Sequence, residues 1–198
     1  LCGAQAQSPV LPGPGLPVAS GGVDPATTAW VNAVVTAGGT VSGTQQTRVN
    51  TLIVALKGHS LWAKLDSMYL YASENITQAK VDLVSPSRTG TVSGSPTFAG
   101  GQGYTGDSTS AFINTGYAPS TGPNWALNSA TSGIYIRNSR LPALVSDAGA
   151  FDGSNFAIIQ VASFGNTVDF AINDGSPSSD GASHIDPQGF WIVSRTGS

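Results

Sequence analysis

Apolar side chains recur every three to four residues in the segment 24–66, and this spacing indicates amphipathic helices. The first helix is predicted to begin at Asp24-Pro25, where a carboxylate caps the backbone and proline suits the first helical position. Gly38-Gly39 is expected to end it. A second helix is predicted to begin after Ser42 and to end at Gly58.

A third, short helix is expected to follow, with Ser60 as its N-cap. The inward positions of the three helices are expected to be Trp30, Val31, Val34 and Val35; Val49, Leu52, Ile53 and Leu56; and Leu61, Trp62 and Leu65. A segment of about forty residues is too short for an independent core. This small helical bundle, residues 24–66, must therefore pack on the following domain or on a neighbouring subunit.

After Asp66 the period of the apolar positions falls toward two, which indicates β-strands. Turns rich in Gly, Asn and Asp separate the apolar runs, and Asn173-Asp174-Gly175 has the composition of a hairpin turn. Strands are predicted at 68–71, 97–98, 111–115, 133–136, 156–162, 168–172 and 190–194. Short strands at such spacing are typical of an antiparallel β-sandwich or jelly roll. The chain is therefore predicted to be mainly β, with residues 67–198 forming the sandwich.

Residues 1–23 differ from both regions in composition. Prolines at positions 9, 12, 14 and 17 exclude a helix or a central strand, so the segment is expected to be an extended arm. Val10, Leu11, Leu16 and Val18 make it more apolar than a usual linker. Docking of this arm on another chain and a disordered tail remain equal alternatives.

Charged residues make up only 10% of the chain, and the net charge is −3. This composition excludes a coiled coil and the basic surface that nucleic-acid binding requires. A single cysteine excludes an internal disulfide and a Cys-rich zinc site, and no apolar run is long enough to span a membrane. Low charge with abundant Gly, Ser and Thr favours a secreted β-protein or a part of a fibre or virion.

A resemblance to a known family rests on residues 95–117, which read Ser-Pro-Thr-Phe-Ala-Gly-Gly-Gln-Gly-Tyr-Thr-Gly-Asp-Ser-Thr-Ser-Ala-Phe-Ile-Asn-Thr-Gly-Tyr. This stretch resembles the opening of concanavalin A-like (LamG-type) jelly rolls, where a strand, a Gly-Asp-Gly-type turn and a strand ending in Tyr-Ile-x-Thr-Gly follow one another. Phe112-Ile113-Asn114-Thr115-Gly116 matches the latter strand. The lead-in Trp62–Asp66, followed by Tyr69–Ala72, is similar to an arrangement in tail and other structural proteins of phages and prophages of alpha-proteobacteria.

The resemblance extends over residues 24–198. It implies a jelly roll with a helical lead-in, and it brings no active-site signature. Domains of this family usually continue with further strands beyond one like Phe190–Arg195, whereas this sequence stops at Ser198. The resemblance therefore implies that the chain is a fragment or that its sandwich is completed by something else.

Few residues are candidates for chemistry. His59 is expected to have a capping or surface role rather than to shuttle protons. His184 and Asp186 form a His-x-Asp pair of the kind that orients an imidazole or binds a metal, but two histidines are too few to favour a transition-metal site. Asp147 with Asp152, and Asp174 with Asp180, are candidate calcium ligands, although solvated turns are the favoured interpretation.

Two further residues bear on carbohydrate chemistry. Glycoside hydrolysis needs two closely placed carboxylates, and the only glutamate, Glu74, is expected to lie in a turn. Trp125, beside Asn124 and Asn128, is either a stacking platform for a sugar or, as we favour, a core residue on a strand. We therefore predict no catalytic residue, no cofactor and no metal ligand.

Two functions agree with these observations. The first is a non-enzymatic structural protein of a phage or prophage virion, such as a fibre, tail or head-surface component, located on the virion surface or extracellularly. It would assemble through its arm with copies of itself and with other virion proteins, and its sandwich would contact the host surface or a glycan. The second is a secreted carbohydrate-binding module or a glycoside-active jelly-roll enzyme. An adhesin or surface-layer protein would assemble through the same kinds of contact as the virion protein and would differ only in the object assembled. No nucleic-acid partner and no membrane span are expected.

Overall fold

The computed structural model describes residues 22–107, 109–138, 146–161, 167–181 and 188–197. The arm apart from its last two residues, Cys2 included, lies outside these ranges, as do His184 and Asp186. Helix α1 is Pro25–Thr36 and helix α2 is Gly43–Gly58. Both begin as predicted, because the Asp24 carboxylate accepts from the Ala26 N–H and Ser42 Oγ accepts from the Gln45 N–H.

The prediction that Ser60 is the N-cap of a third helix is wrong. Ser60 has a φ of 56° and ends α2 instead of beginning a new helix. The Leu61 N–H donates to the Leu56 carbonyl at 2.8 Å. A helix end closed by such a hydrogen bond places the residue before the donor, here Ser60, in the left-handed region. Only a 3₁₀ turn, Trp62–Lys64, follows. Leu61, predicted to point inward, is an exposed side chain, and so is Val35 on α1.

The predicted strand at 68–71 is also wrong, although its alternation of side chains is real. The segment is extended but pairs in no ladder, and its Met68 carbonyl accepts a single hydrogen bond from the Leu83 N–H at 2.8 Å. Met68 and Leu70 pack on the helices, while Tyr69 and Tyr71 stack together on the other side. The chain then forms an unpredicted helix α3, Ile76–Lys80, which the side chain of Asn75 caps.

The helical core includes residues from beyond the helices. Its buried members are Trp30, Val34, Val49, Ile53, Val81 and Leu83. The indole N–H of Trp30 also donates to the Val81 carbonyl at 3.4 Å. The helices thus complete their core with the chain segment that follows them, as their short length requires.

All strand pairings are antiparallel, and every predicted strand except 68–71 overlaps an observed one. The strands are β1 Thr91–Ser93, β2 Thr97–Ala99, β3 Gly103–Thr105, β4 Phe112–Asn114, β5 Ser129–Ile136, β6 Ala148–Phe151, β7 Phe156–Gln160, β8 Asp169–Asp174, β9 Ser178–Ser179 and β10 Gly189–Thr196. Strand β1 pairs with β4, β2 with β3 and β5 with β10, and β6-β7-β8-β9 form a four-stranded sheet. The predicted hairpin turn lies at the end of β8, which pairs with β9.

A second core lies between the β5–β10 ribbon and the four-stranded sheet. Its buried residues are Ile159, Val161 and Val168, and the partly buried Ile134, Ile136, Phe170, Trp191 and Val193 pack against them. Within the described ranges the chain is therefore mainly β, with three α-helices and antiparallel strands in small, open sheets. None of the helices in these ranges has the length and apolar character needed to cross a bilayer.

Candidate binding surface

The outward side of the β5–β10 ribbon exposes three large apolar side chains, Tyr135, Phe190 and Ile192. We call it the ribbon face. Because successive side chains of a strand point to opposite sides, it consists of alternate residues: Ser129, Thr131, Gly133 and Tyr135 of β5, and Phe190, Ile192, Ser194 and Thr196 of β10. The intervening side chains point toward the four-stranded sheet and form the second core.

One half of the ribbon face is aromatic and aliphatic. Tyr135 and Phe190 stand directly opposite each other in the pairing register, and they are 67% and 65% exposed. Ile192 is 60% exposed and lies opposite Gly133. Single exposed apolar residues are ordinary on protein surfaces, but a contiguous group of this kind marks a contact surface.

Gly133 allows the side chains of Phe190 and Ile192 to lie close to the backbone of β5. A Cβ atom at this position would stand 3.3 Å from Phe190 Cζ and 3.4 Å from Ile192 Cγ1. The Phe190 ring therefore extends diagonally over the glycine, where any larger residue would raise it. Cross-strand contacts of this diagonal type stabilise sheet faces.

The other half of the ribbon face carries hydroxyl groups. Thr131 Oγ1 and Ser194 Oγ share a hydrogen bond of 2.9 Å. No charged side chain belongs to the face. Arg195 lies on the opposite side of β10, where its guanidinium donates to the carbonyls of Ile172 and Asn173 at 3.0 and 2.8 Å. The face therefore suits an uncharged partner that combines apolar and hydroxyl surfaces.

Trp125 is not an exposed stacking platform. Its indole N–H donates to Asn173 Oδ1 at 2.8 Å, and its half-buried ring makes an edge-on contact with Tyr117. Trp125 also does not belong to a strand, contrary to the favoured interpretation. The residue instead joins the segment that follows β4 to the end of β8.

The neighbouring Asn124 also has a structural role. Its backbone and side-chain N–H groups donate to the Asp66 carboxylate, and the Tyr117 hydroxyl donates to the same group at 2.9 Å. Burial, together with this carboxylate, raises the pKa of Tyr117 well above its usual value. Gly122 is needed beside them, since a Cβ there would stand 2.5 Å from Asp66 Oδ2.

The most buried charge in the described ranges is Asp82, which the sequence interpretation overlooked. Its carboxylate is inaccessible to solvent and forms an ion pair with Arg88. It also accepts from the Ser67 hydroxyl and from the backbone N–H groups of Met68, Val84 and Ser85. With both of its oxygens hydrogen-bonded, this carboxylate joins the loop 82–88 to the segment that follows the 3₁₀ turn.

Glu74 has a more specific role than that of a turn residue. Its carboxylate accepts from the backbone N–H and the hydroxyl of Ser42, the N-cap of α2, and from the Gln78 amide. The Ser42 hydroxyl bond is the main cause that holds the pKa of Glu74 below its usual value. His59 is exposed at the C-terminus of α2, and its backbone N–H donates to the Ala55 carbonyl. Both residues thus stabilise the ends of one helix.

The candidate calcium ligands accept hydrogen bonds from backbone N–H groups. Asp152 accepts from the backbone N–H groups of Ser154 and Asn155, which lowers its pKa, and Asp174 accepts from that of Ser176. Asp147 and Asp180 accept from the backbone N–H groups of Val161 and Val168. The described part of the chain contains no cluster of three or more His, Cys, Asp or Glu side chains that fits a metal ion.

Sequence reasoning identified both strands of the ribbon but not its face. Residues 133–136 and 190–193 are apolar on both sides of the strand, apart from one glycine. Such runs are also typical of strands buried on both faces, so the pattern alone does not show which side is exposed.

A scan against protein-family models found no match to the chain, and searches of curated proteins and of solved structures found no significant match either. The ribbon face is therefore interpreted from its own geometry.

Proposed function

We propose that this chain is a non-enzymatic structural protein of a phage or prophage virion, which joins the particle through its N-terminal arm. Its β-rich part is a concanavalin A-like sandwich at the virion surface, and the ribbon face contacts the host surface through a neutral glycan. The single observation that carries this proposal is the opposed, exposed pair Tyr135 and Phe190 on an uncharged face.

The chemistry of the ribbon face matches that of a sugar chain. Aromatic rings offer an electron-rich face to the C–H groups of a pyranose, and Thr131 and Ser194 offer hydroxyl groups farther along the same face, beyond Gly133 and Ile192. Neither side of such a contact carries a charge that would need to be desolvated.

The size of the ribbon face also favours a narrow ligand. Two strands of eight residues give a surface about 27 Å long and about 10 Å wide. A stable protein–protein interface needs about 800 Å² per partner, which is several times larger. A linear oligosaccharide lying along the strands fits this surface, with weak binding at each site that repeated copies in a particle strengthen.

A secreted carbohydrate-binding module is a second candidate, because the same aromatic pair supports it. The two functions differ in assembly. A virion component forms symmetric oligomers and larger particles, whereas a secreted module binds its glycan as a single copy.

The proposal is tested by binding of the purified full chain to an array of immobilised neutral glycans, with light scattering to measure its oligomeric state. We expect saturable binding and a symmetric oligomer. The double substitution Tyr135→Ser/Phe190→Ser should abolish glycan binding, whereas Val35→Ser, which removes an exposed apolar residue from α1, should leave it unchanged. Binding by a monomer would favour the secreted module, and a monomer that binds no glycan would overturn both functions.

A further inference from the structure

An apolar groove of about 260 Å³ opens beside β10, between the ribbon and the four-stranded sheet. Ile159, Val168 and Phe170 line it from one layer, and Trp191 and Val193 line it from the other, with the exposed Ser194 beside them. The groove therefore reaches the second core from the protein surface.

The groove has room for side chains that the described residues do not supply. A cavity of roughly 150 Å³ lined by aliphatic and aromatic groups is large enough to take up benzene, so this groove accommodates about two aliphatic side chains. Its lining residues carry no charge. Filling it would remove apolar surface of the second core from water, which is favourable in proportion to the area covered.

We propose that the occupant is the N-terminal arm of a second copy of this chain, which inserts leucine and valine side chains of residues 8–21 into the groove. The inference rests on the proposed function, because it names the contact through which copies join the particle. The arm matches the groove in chemistry, since residues 1–23 contain no charged side chain and residues 8–21 include Val10, Leu11, Leu16 and Val18.

The arm is also suited to docking in an extended form. Its four prolines fix φ at several positions, so less conformational entropy is lost when the segment is held in place. Gly22 comes eleven positions after Leu11, and at about 3.1 Å per position the chain between them spans about 34 Å. A chain of this size has a radius of gyration of about 16 Å, so the arm is long enough to reach a neighbouring copy.

A disulfide cross-link between two full-length variants tests this contact. Both variants carry Cys2→Ser; one also has Leu11→Cys in the arm, and the other has Val193→Cys, at a position whose side chain lines the groove. After mixing and mild oxidation, we expect a disulfide between the two chains, identified by mass spectrometry of the linked peptides. Thr47→Cys, at an exposed site on α2, replaces Val193→Cys in the control and should not form the link.

A third variant carries both Leu11→Cys and Val193→Cys in one chain. Three outcomes would overturn the inference: no link between the two single-site variants, an equal yield with the control, or a link in the third variant that forms only within one chain. The double substitution Leu11→Asp/Leu16→Asp should also weaken assembly at least about tenfold. If the full chain forms oligomers but neither variant behaves as expected, the arm contact is wrong while the proposed function stands. A chain that stays monomeric at high concentration overturns both.

Discussion

Phe190 lies over Gly133, its diagonal neighbour on the adjacent strand, and a Cβ at Gly133 would meet Phe190 Cζ at 3.3 Å. The ring current of Phe190 therefore acts on the Gly133 Hα protons. We predict that Phe190→Leu shifts these resonances in a ¹H–¹³C spectrum. Because Phe190 is largely exposed, the free energy of unfolding should change by less than about 0.5 kcal/mol.

Phe151→Leu provides the matched control. Phe151 is an exposed aromatic residue on another sheet, where it stacks on Phe156. Its substitution should leave the Gly133 resonances in place. Unchanged Gly133 resonances in Phe190→Leu would show that the ring does not cover the glycine.

The two ion pairs of the described ranges should differ in their value to stability. Arg88→Met leaves the inaccessible Asp82 carboxylate without its cation, and we predict a loss of about 3 kcal/mol or more. Lys57→Met breaks the pair with Asp24, in which the lysine side chain is 39% exposed. That substitution should cost less than about 1 kcal/mol.

Urea denaturation of both variants measures the difference between these two pairs. Arg88→Lys, which keeps the charge but loses the planar guanidinium, should fall between wild type and Arg88→Met. Equal costs for Arg88→Met and Lys57→Met would contradict the burial of Asp82.

The parts of the fold that the sequence predicts depend on local contacts. Asp24 and Ser42 cap the helices they precede, because a cap bond joins residues only two or three positions apart. Ser60 is an equally suitable N-cap residue in the sequence, but in the structure it belongs to the C-terminal end of α2 and therefore caps no new helix. The segment 68–71 shows strand-like alternation but forms no β-ladder. Its hydrogen-bond partner Leu83 belongs to a loop later in the chain, and no local sequence pattern identifies that pairing.

The candidate surface was less predictable for a similar reason. Trp125 has the sequence context of a sugar platform, yet a hydrogen bond to Asn173, far along the chain, fixes its indole. Tyr135 and Phe190 look like core residues in sequence, and they are exposed only because no layer of the described chain covers that side of the ribbon. Which face of a strand is covered depends on tertiary packing, and neither propensity nor periodicity encodes it.

Glu74 should make stability depend on pH in the acid range. Its pKa in the folded state is below the usual 4.5, so it stabilises the fold above about pH 4.5 and loses this contribution as the pH falls through its folded pKa. We predict that Glu74→Gln lowers the melting temperature most at pH 7, and that the difference from wild type disappears as the pH is lowered. Thermal melts between about pH 2 and pH 7 measure it.

The Ser42 hydroxyl is the main cause of this shift, which provides a control. In a Ser42→Ala background, Glu74→Gln should have a smaller and less pH-dependent effect. A difference between wild type and Glu74→Gln that stays constant over the whole pH range would contradict the role assigned to this carboxylate.

Gly39 marks a close approach between the end of α1 and the unpredicted helix α3. A Cβ at Gly39 would stand 2.7 Å from Thr77 Cβ and 2.9 Å from Val34 Cγ1. Because Val34 is fully buried and cannot yield easily, Gly39→Ala should lower the free energy of unfolding by about 1–3 kcal/mol. Gly43→Ala, in the first turn of α2 with no atom within 4 Å of the new methyl group, should instead raise it by about 0.5 kcal/mol. Chemical denaturation of the two variants checks the opposite signs, and a neutral Gly39→Ala would contradict the close approach of Thr77 and Val34 to this position.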